Sequence, residues 1–359
     1  MRIATLSNAA VVHTTRWVDH FRARGHEVRL YSLEDGPGVP GPGGVRLPSA
    51  PLPGALRYPL AWPRLAHELE GFAPDLIDAH FVPNYGLLGA LSGRRPLSVA
   101  AWGSDLLLTA NRDPLHRART RFVLRRADLV LCDAHNLAAA ARRAGAPAAI
   151  VRALPWGVDR ARFRPAGERE RGLMLSTRMH EPVYDLPALF AAAAPVLAAH
   201  PHATLAVAGD GSLRQALESL ATRLLPAGRV RFLGRLSPEA LAGWLARAEI
   251  YLSASHSDST SQSLLEAMAA GALPVVSDIE GNREWVAEGD GARLFPAGDS
   301  AGCARAIEAA LGDAEWAARA RARNAAVIAE RADWHVNLAR IESWFQALAA
   351  GEPLPAEGT

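Results

Sequence analysis

The chain predicts an α/β protein built as two doubly wound domains. Three observations carry this. Short apolar runs alternate with helical segments along the 359 residues; the alternation falls into two series; and a turn near Leu154-Pro155-Trp156-Gly157 interrupts it between them. Buried parallel strands read as near-continuous apolar runs, and strands that alternate with helices build parallel sheets.

In the first series, strands are expected at residues 2–7, 27–32, 75–79, 97–101, 128–132 and 149–153. Helices fall between them, for example at 16–24, 65–71 and 136–145, and the Pro/Gly-rich stretch 36–54 reads as a loop. The second series predicts strands at 173–176, 204–208, 230–233, 250–254, 274–277 and 292–295. Ser237-Pro238-Glu239 reads as the cap and first turn of a helix reaching about residue 248. Residues 333–348 read as an amphipathic helix, with Trp334, Ile341, Trp344 and Phe345 on its packing face.

Composition narrows the function. With 49% hydrophobic residues the chain is globular, and the sequence shows no run of about 20 apolar residues and no signal-peptide pattern. Two cysteines, Cys132 and Cys303, lack metal-ligand spacing and fit a reduced, cytoplasmic setting. All 39 basic residues are arginine, so no lysine chemistry is available. Charge is uneven. Residues 1–165 carry 22 Arg against 13 acidic residues, and residues 166–359 carry 17 against 24. A basic first half points to an anionic partner there, a phosphorylated acceptor or an anionic membrane surface, or else to solvated helix faces. Residues 112–126 concentrate six arginines around Phe122-Val123-Leu124. They read either as a lipid- or phosphate-facing surface or as a solvated face packed by its apolar run. Aromatics do not interleave with the arginines, which argues against nucleic acid.

Chemistry concentrates between Ser255 and Gly271, where a Ser/Thr-rich turn after a strand opens a helix. Ser and Thr are natural N-caps, Gly271 stops the helix, and first-turn N–H groups at a sheet's carboxyl edge suit a diphosphate. Seven residues separate Asp258 from Glu266, and Glu266 can accept two hydrogen bonds from vicinal hydroxyls. His80 ends a first-half strand at the carboxyl edge. It reads as a partner for a ligand hydroxyl, or as a histidine bonded to backbone. Asp105 reads as an acceptor contact or a helix cap. His13, Thr14 and Arg16 lie in the first β–α loop. No His/Asp/Glu cluster has metal spacing, so no metal and no cofactor is expected.

The segment 255–271 resembles the E-x7-E motif of the family 4 glycosyltransferases, in the form Asp-x7-Glu, with Pro-Val-Val-Ser-Asp following at 274–278. Further segments resemble that family in order: Arg24-Gly25-His26-Glu27-Val28; Pro155-Trp156-Gly157-Val158-Asp159 with Phe163 and Pro165; Ser176-Thr177-Arg178; Ala208-Gly209-Asp210-Gly211; and Val230 to Gly234. The resemblance implies a GT-B fold of two facing Rossmann-like domains, residues 1–165 and 166–330, with a helix at 331–350 returning to the first. It implies a nucleotide-sugar donor in the second domain, an acceptor in the first, and retention of anomeric configuration. On this reading Arg178, with the N–H groups of Thr260 to Gln262, stabilises the departing diphosphate. Asp258, Ser259, Thr260, Ser261, Gln262, Glu266, Tyr184, Gly209, Gly211 and Phe232 form the donor side. His80, Asp105, His13, Thr14, Arg16, Trp102 and Ser104 form the first-domain side. The acceptor is a small molecule, a glycan or a lipid-linked molecule, met in the cytoplasm or at the inner membrane face.

The sequence departs from the family at four places, the first being that the loop at residues 7–15 lacks the Gly-Gly pair the family often has there. Tyr184 replaces its phosphate-binding lysine, Asp258 its first glutamate, and Trp102 the histidine of its His-Gly-[Thr/Ser]-Asp loop. Alternatives are a sugar-nucleotide epimerase of the same fold and a donor-binding pseudoenzyme. A nicotinamide dehydrogenase is disfavoured, since no Gly-x-Gly-x-x-Gly follows the first strand.

Overall fold

The computed structural model describes residues 1–49 and 57–356. They divide into two compact units, one of residues 1–154 with 338–359, the other of residues 155–337. The first division falls at the Leu154-Pro155 turn rather than at 165, and the chain rejoins the first unit at Leu338.

The first unit holds seven strands: β1 (Arg2–Leu6), β2 (Glu27–Ser32), β3 (Gly44–Arg46), β4 (Leu76–His80), β5 (Leu97–Ala100), β6 (Leu129–Cys132) and β7 (Val151–Ala153). Their order is β3-β2-β1-β4-β5-β6-β7 and every pairing is parallel. The helices are α1 (Val12–Ala23), α2 (Arg57–Phe72), α3 (Leu87–Leu91), α4 (Pro114–Arg126) and α5 (His135–Arg143). The order reverses at β1 and β4, so the loops after those two strands open at the switch point where open α/β sheets bind ligands.

The second unit repeats the plan with β8 (Glu170–Ser176), β9 (Thr204–Ala208), β10 (Val230–Gly234), β11 (Ala248–Ser253), β12 (Leu273–Ser277), β13 (Ala287–Glu288) and β14 (Gly291–Phe295), in the order β10-β9-β8-β11-β12-β14-β13. Its helices are α6 (Leu186–Ala199), α7 (Arg214–Leu224), α8 (Pro238–Arg247), α9 (Gln262–Ala270), α10 (Glu280–Arg283), α11 (Ser300–Gly312) and α12 (Ala314–Arg331). Here the switch point lies between β8 and β11. As the sequence predicts, Ser237 caps α8, its hydroxyl accepting the Ala240 N–H at 3.2 Å.

Apolar runs became fully buried strands because both faces of each sheet are covered: Val99, Val130 and Leu131, like Leu175, Leu252 and Val275, are at most 1% exposed. Each such side chain contributes about 1.5–3 kcal/mol on leaving water. One expectation needs correction. The loop expected at 36–54 contains β3, whose three residues sit among glycines and so carry little apolar signal; its residues 50–54 lie outside the described residues. One segment, 182–199, is long and apolar enough to cross a membrane by composition alone. Its helical part, α6, packs Leu186, Leu189, Phe190, Val196 and Leu197 into the core of the second unit.

The last helix, α13 (Trp334–Ala350), carries the chain back into the first unit. Phe345 stacks on Phe21 of α1 with centroids 5.4 Å apart, and Ile341 and Trp344 are buried with it. The buried Glu342 carboxylate accepts from Arg24 Nε at 2.9 Å and lies 2.8 Å from His26 Nε2, pinning the helix to the α1–β2 junction.

Candidate active site

In the second unit, the loop after β11 leads into α9, capped by Ser261, whose hydroxyl accepts the Leu264 N–H; Gly271, at φ +80°, ends the helix. A guanidinium stands at this N-terminus. Arg178, after β8, is 6% exposed; its Nη1 donates to Ser261 Oγ at 2.7 Å and its Nη2 to Asp258 Oδ2 at 2.6 Å. The Tyr184 ring covers it, 4.1 Å from Cζ to centroid, within cation–π range. Burial draws the Arg178 pKa down, but Asp258 outweighs it and the net displacement is upward, so the group stays charged.

Two glycines let the backbone close around this cation. A Cβ on Gly209 would stand 2.6 Å from the Arg178 carbonyl oxygen, and one on Gly211 2.6 Å from that of His180. The loop before α9 is tied to the turn at Pro182–Tyr184 by the His256 N–H to the Val183 carbonyl (2.8 Å) and by His256 Nε2 with Asp185 Oδ2 (2.9 Å). Ser259, Thr260 and Ser261 are buried, and the Trp285 indole N–H donates to Thr260 Oγ1 at 3.3 Å. Gln262 Nε2 bridges the Gly157 carbonyl (3.1 Å) and Glu266 Oε1 (3.3 Å), and Glu266 is 7% exposed. Phe232 lies edge-on to His180 at 6.1 Å, with the Arg214 guanidinium over its ring. Sequence reading passed over His180. It is fully buried, neither ring nitrogen has a partner, and burial followed by the nearby Arg214 lowers its pKa.

In the first unit, a cavity of about 320 Å³ opens among the loops after β1, β4 and β5. Ser7, Asn8, Thr14, Asn84 and Ser104 supply neutral polar groups, and Tyr58, Phe81, Tyr85 and Trp102 supply rings, around His80. Phe81, directly after His80, has φ +70°, which a non-glycine residue rarely adopts and which recurs at functional sites. It starts a π-helical turn, Phe81–Gly86; a second such turn is Asp105–Thr109.

Of the sequence-predicted residues here, His80, Thr14, Trp102 and Ser104 line the cavity. Thr14 Oγ1 lies 2.8 Å from Ser7 Oγ. The His13 ring packs 5.7 Å from Trp102, and burial, then the Arg16 charge, lowers its pKa to about 4. Asp105 does something else. Fully buried, it accepts backbone N–H groups from Val82 at 3.0 Å and from Trp102 and Leu106 at 3.1 Å each, locking the two π-helical turns together. Burial raises its pKa to about 6 against those bonds. Of its two sequence readings, the backbone-capping one describes this geometry. The cavity's Tyr58, Tyr85, Asn8 and Asn84 escaped notice in sequence because they are scattered over 78 positions and form no motif.

The two parallel sheets, each with its own switch point, are those of a nucleotide-sugar glycosyltransferase of the GT-B fold. The chain belongs to family 4 of these enzymes. Residues 2–134 match the model described as "Glycosyl transferase 4-like" and residues 170–313 that of "Glycosyl transferases group 1", between them more than three quarters of the chain. It is 33% identical to a phosphatidyl-myo-inositol mannosyltransferase of Mycolicibacterium smegmatis over 55% of this chain and 52% of the relative. It is 28% identical to a GDP-mannose-dependent alpha-mannosyltransferase of the same organism over 78% of each. The chain thus spans about half the length of the first relative and more of the second. In fold, it superimposes on a crystal structure of HepE from Anabaena in complex with UDP-glucose, with TM-score 0.81 and 19% identity over 97% of this chain and 100% of that one. Sucrose-phosphate synthase from Thermosynechococcus elongatus gives TM-score 0.84 at 18% identity over 98% and 100%.

Proposed function

We propose that the protein transfers a sugar, with retention and without a metal, from a nucleotide-diphosphate sugar held by the second unit to a hydroxyl of an acceptor held by the first. The observation that carries this is the buried Arg178 guanidinium at the capped start of α9. Breaking the sugar–phosphate bond loads negative charge on the diphosphate, and a preorganised cation beside a helix N-terminus answers that charge. The GDP-mannose dependence of one relative and the UDP-glucose bound to HepE support a nucleotide-sugar donor here. Glu266 fits the ribose and Asp258 the sugar hydroxyls.

Incubation with UDP-, GDP- and dTDP-sugars and candidate acceptors tests the reading, following nucleotide release and the anomeric configuration of the product. Transfer with retained configuration, undiminished in EDTA, is expected. Inversion, or a loss of transfer that only added divalent metal restores, overturns the corresponding part.

A lipid-linked acceptor is favoured by the first unit's surface. The exposed large hydrophobic residues of the described chain include Val12, Leu60, Trp62, Leu108 and Leu115 there, the last on α4 with its arginines. Val123 and Leu124 of α4 are fully buried, while Arg117, Arg121, Arg125 and Arg126 are exposed and Arg119 is half-buried. Such a basic surface with protruding Trp and Leu suits a peripheral contact with anionic lipid at the cytoplasmic face. Co-sedimentation with anionic but not zwitterionic vesicles is expected; equal binding to both, or to neither, overturns it.

A further inference from the structure

His80 lies between two indole rings, 5.0 Å from Trp17 and 5.5 Å from Trp102, and is 2% exposed. Its Nε2 stands 2.9 Å from Asp78 Oδ2. The two residues are i and i+2 on β4 and therefore share one side of the strand. Asp78 is fully buried, and the same oxygen accepts the Trp17 indole N–H at 2.9 Å. An indole N–H only donates, so Oδ2 is an acceptor, and the ring nitrogen facing it must carry a proton. That fixes the tautomer: in neutral His80 the proton sits on Nε2 and Nδ1 carries a bare lone pair. Nδ1 is buried and has no partner among the described residues, although the ring lines the first-unit cavity.

Apart from Val11, the rest of that lining is aromatic or neutral and polar, with no carboxylate and no cation among the described residues. Glu34, the nearby acid, is already occupied by Tyr85 and Arg57. Aromatic faces with hydroxyl and amide groups suit a ring that is apolar on its faces and hydroxylated at its edge.

We propose that Asp78 is a positioning residue that holds His80 in the Nε2–H tautomer, so that Nδ1 accepts a hydrogen bond from a hydroxyl of an uncharged, hydroxyl-rich acceptor ring, a pyranose or a cyclitol, in this cavity. The inference rests on the acceptor reading above. Any phosphate on the acceptor lies outside the ring subsite.

Three variants test it. In His80→Asn the amide oxygen takes the place of Nδ1 and the bond to Asp78 is lost. In His80→Gln the amide nitrogen reaches Asp78 and the acceptor at Nδ1 is lost. Transfer should fall about tenfold or more in His80→Gln, as for a lost buried hydrogen bond, and less in His80→Asn. The reverse order overturns the proposal. In Asp78→Asn combined with Trp17→Phe, which removes the indole N–H that would otherwise hold the amide oxygen at this position, the amide N–H can face Nε2 and should move the ring proton to Nδ1. Nitrogen-15 spectra of histidine-labelled protein report that tautomer without substrate. An unchanged Nε2–H tautomer in the folded double variant overturns the positioning role even if no donor or acceptor has been found. Failure of the wild type to transfer from any nucleotide sugar would instead count against the functional reading and leave the tautomer result standing.

Discussion

The sites of the two units answer different chemical problems. The second unit gathers fixed charge: one buried guanidinium, one carboxylate beside it, and the N-terminus of α9. Among the described residues no charged side chain lines the first unit's cavity, and two ionisable groups of that unit are shifted toward neutrality: His13 downward to about 4, Asp105 upward to about 6. A diphosphate needs a cation that stays charged whatever the surroundings, and arginine alone offers that in a chain without lysine. A hydroxylated ring needs directional partners without field, since a buried unpaired charge costs more than it returns.

The contrast breaks most sharply at Arg178. Arg178→Ala removes a donor that matters most as charge develops, so kcat should fall by about 10²–10³ while donor KM moves little. Steady-state kinetics check it; a loss confined to KM would make the arginine a ground-state contact.

Next in size is the pH dependence of the first unit. Below pH 6.5 the unfolded chain protonates His13 before the fold does, so this residue makes stability fall as pH drops from 6.5 to about 4. Asp105 acts oppositely. The fold takes up its proton first, and stability rises as pH drops from about 6 towards 3.8. Each amounts to at most about 3 kcal/mol, and in the wild type they offset one another. Urea titrations between pH 4 and 7 should show His13→Gln gaining stability relative to wild type on acidification and Asp105→Asn losing it.

Glu266→Gln should weaken nucleotide binding by about 1–3 kcal/mol by calorimetry, the range for a lost charged hydrogen bond. An unchanged affinity in a folded variant would remove Glu266 from the ribose site. The smallest effect is at Tyr184. Its ring lies on the Arg178 guanidinium, so Tyr184→Phe should be nearly neutral and Tyr184→Ala should cost about 0.5–2 kcal/mol in kcat/KM. Tyr184→Lys restores the family's residue but sets a second cation against Arg178. It should not rescue Arg178→Ala if the ring is what matters.

The second unit's site was legible in sequence because its residues are local: Asp258 to Glu266 lie on one loop and one helix, and Ser261 and Gly271 cap that helix by rules that act over a few residues. Arg178 was legible by resemblance, its clasp by Asp258 was not, since it joins positions 80 residues apart. In the first unit His80 was visible as a strand end. Asp78 was not, because inside a buried run an acidic residue has no local signal until its neighbour at i+2 turns out to share its side of the strand. The start of α2 at Arg57 was hidden by Pro59 and Pro63, which read as loop. Asp105 was visible but ambiguous, because the same residue type caps backbone and binds hydroxyls.

Residues 338–359 complete a unit that begins at residue 1, whereas the second unit is one uninterrupted stretch. During synthesis the chain emerges from its N-terminus, so the middle unit can close as soon as its own residues are out. The earlier one waits, its Trp17 and Phe21 uncovered, until Phe345 and its neighbours leave the ribosome. The order of birth and the order of completion are therefore inverted. The exposed face of α1 during that interval is where a nascent-chain chaperone has something to hold.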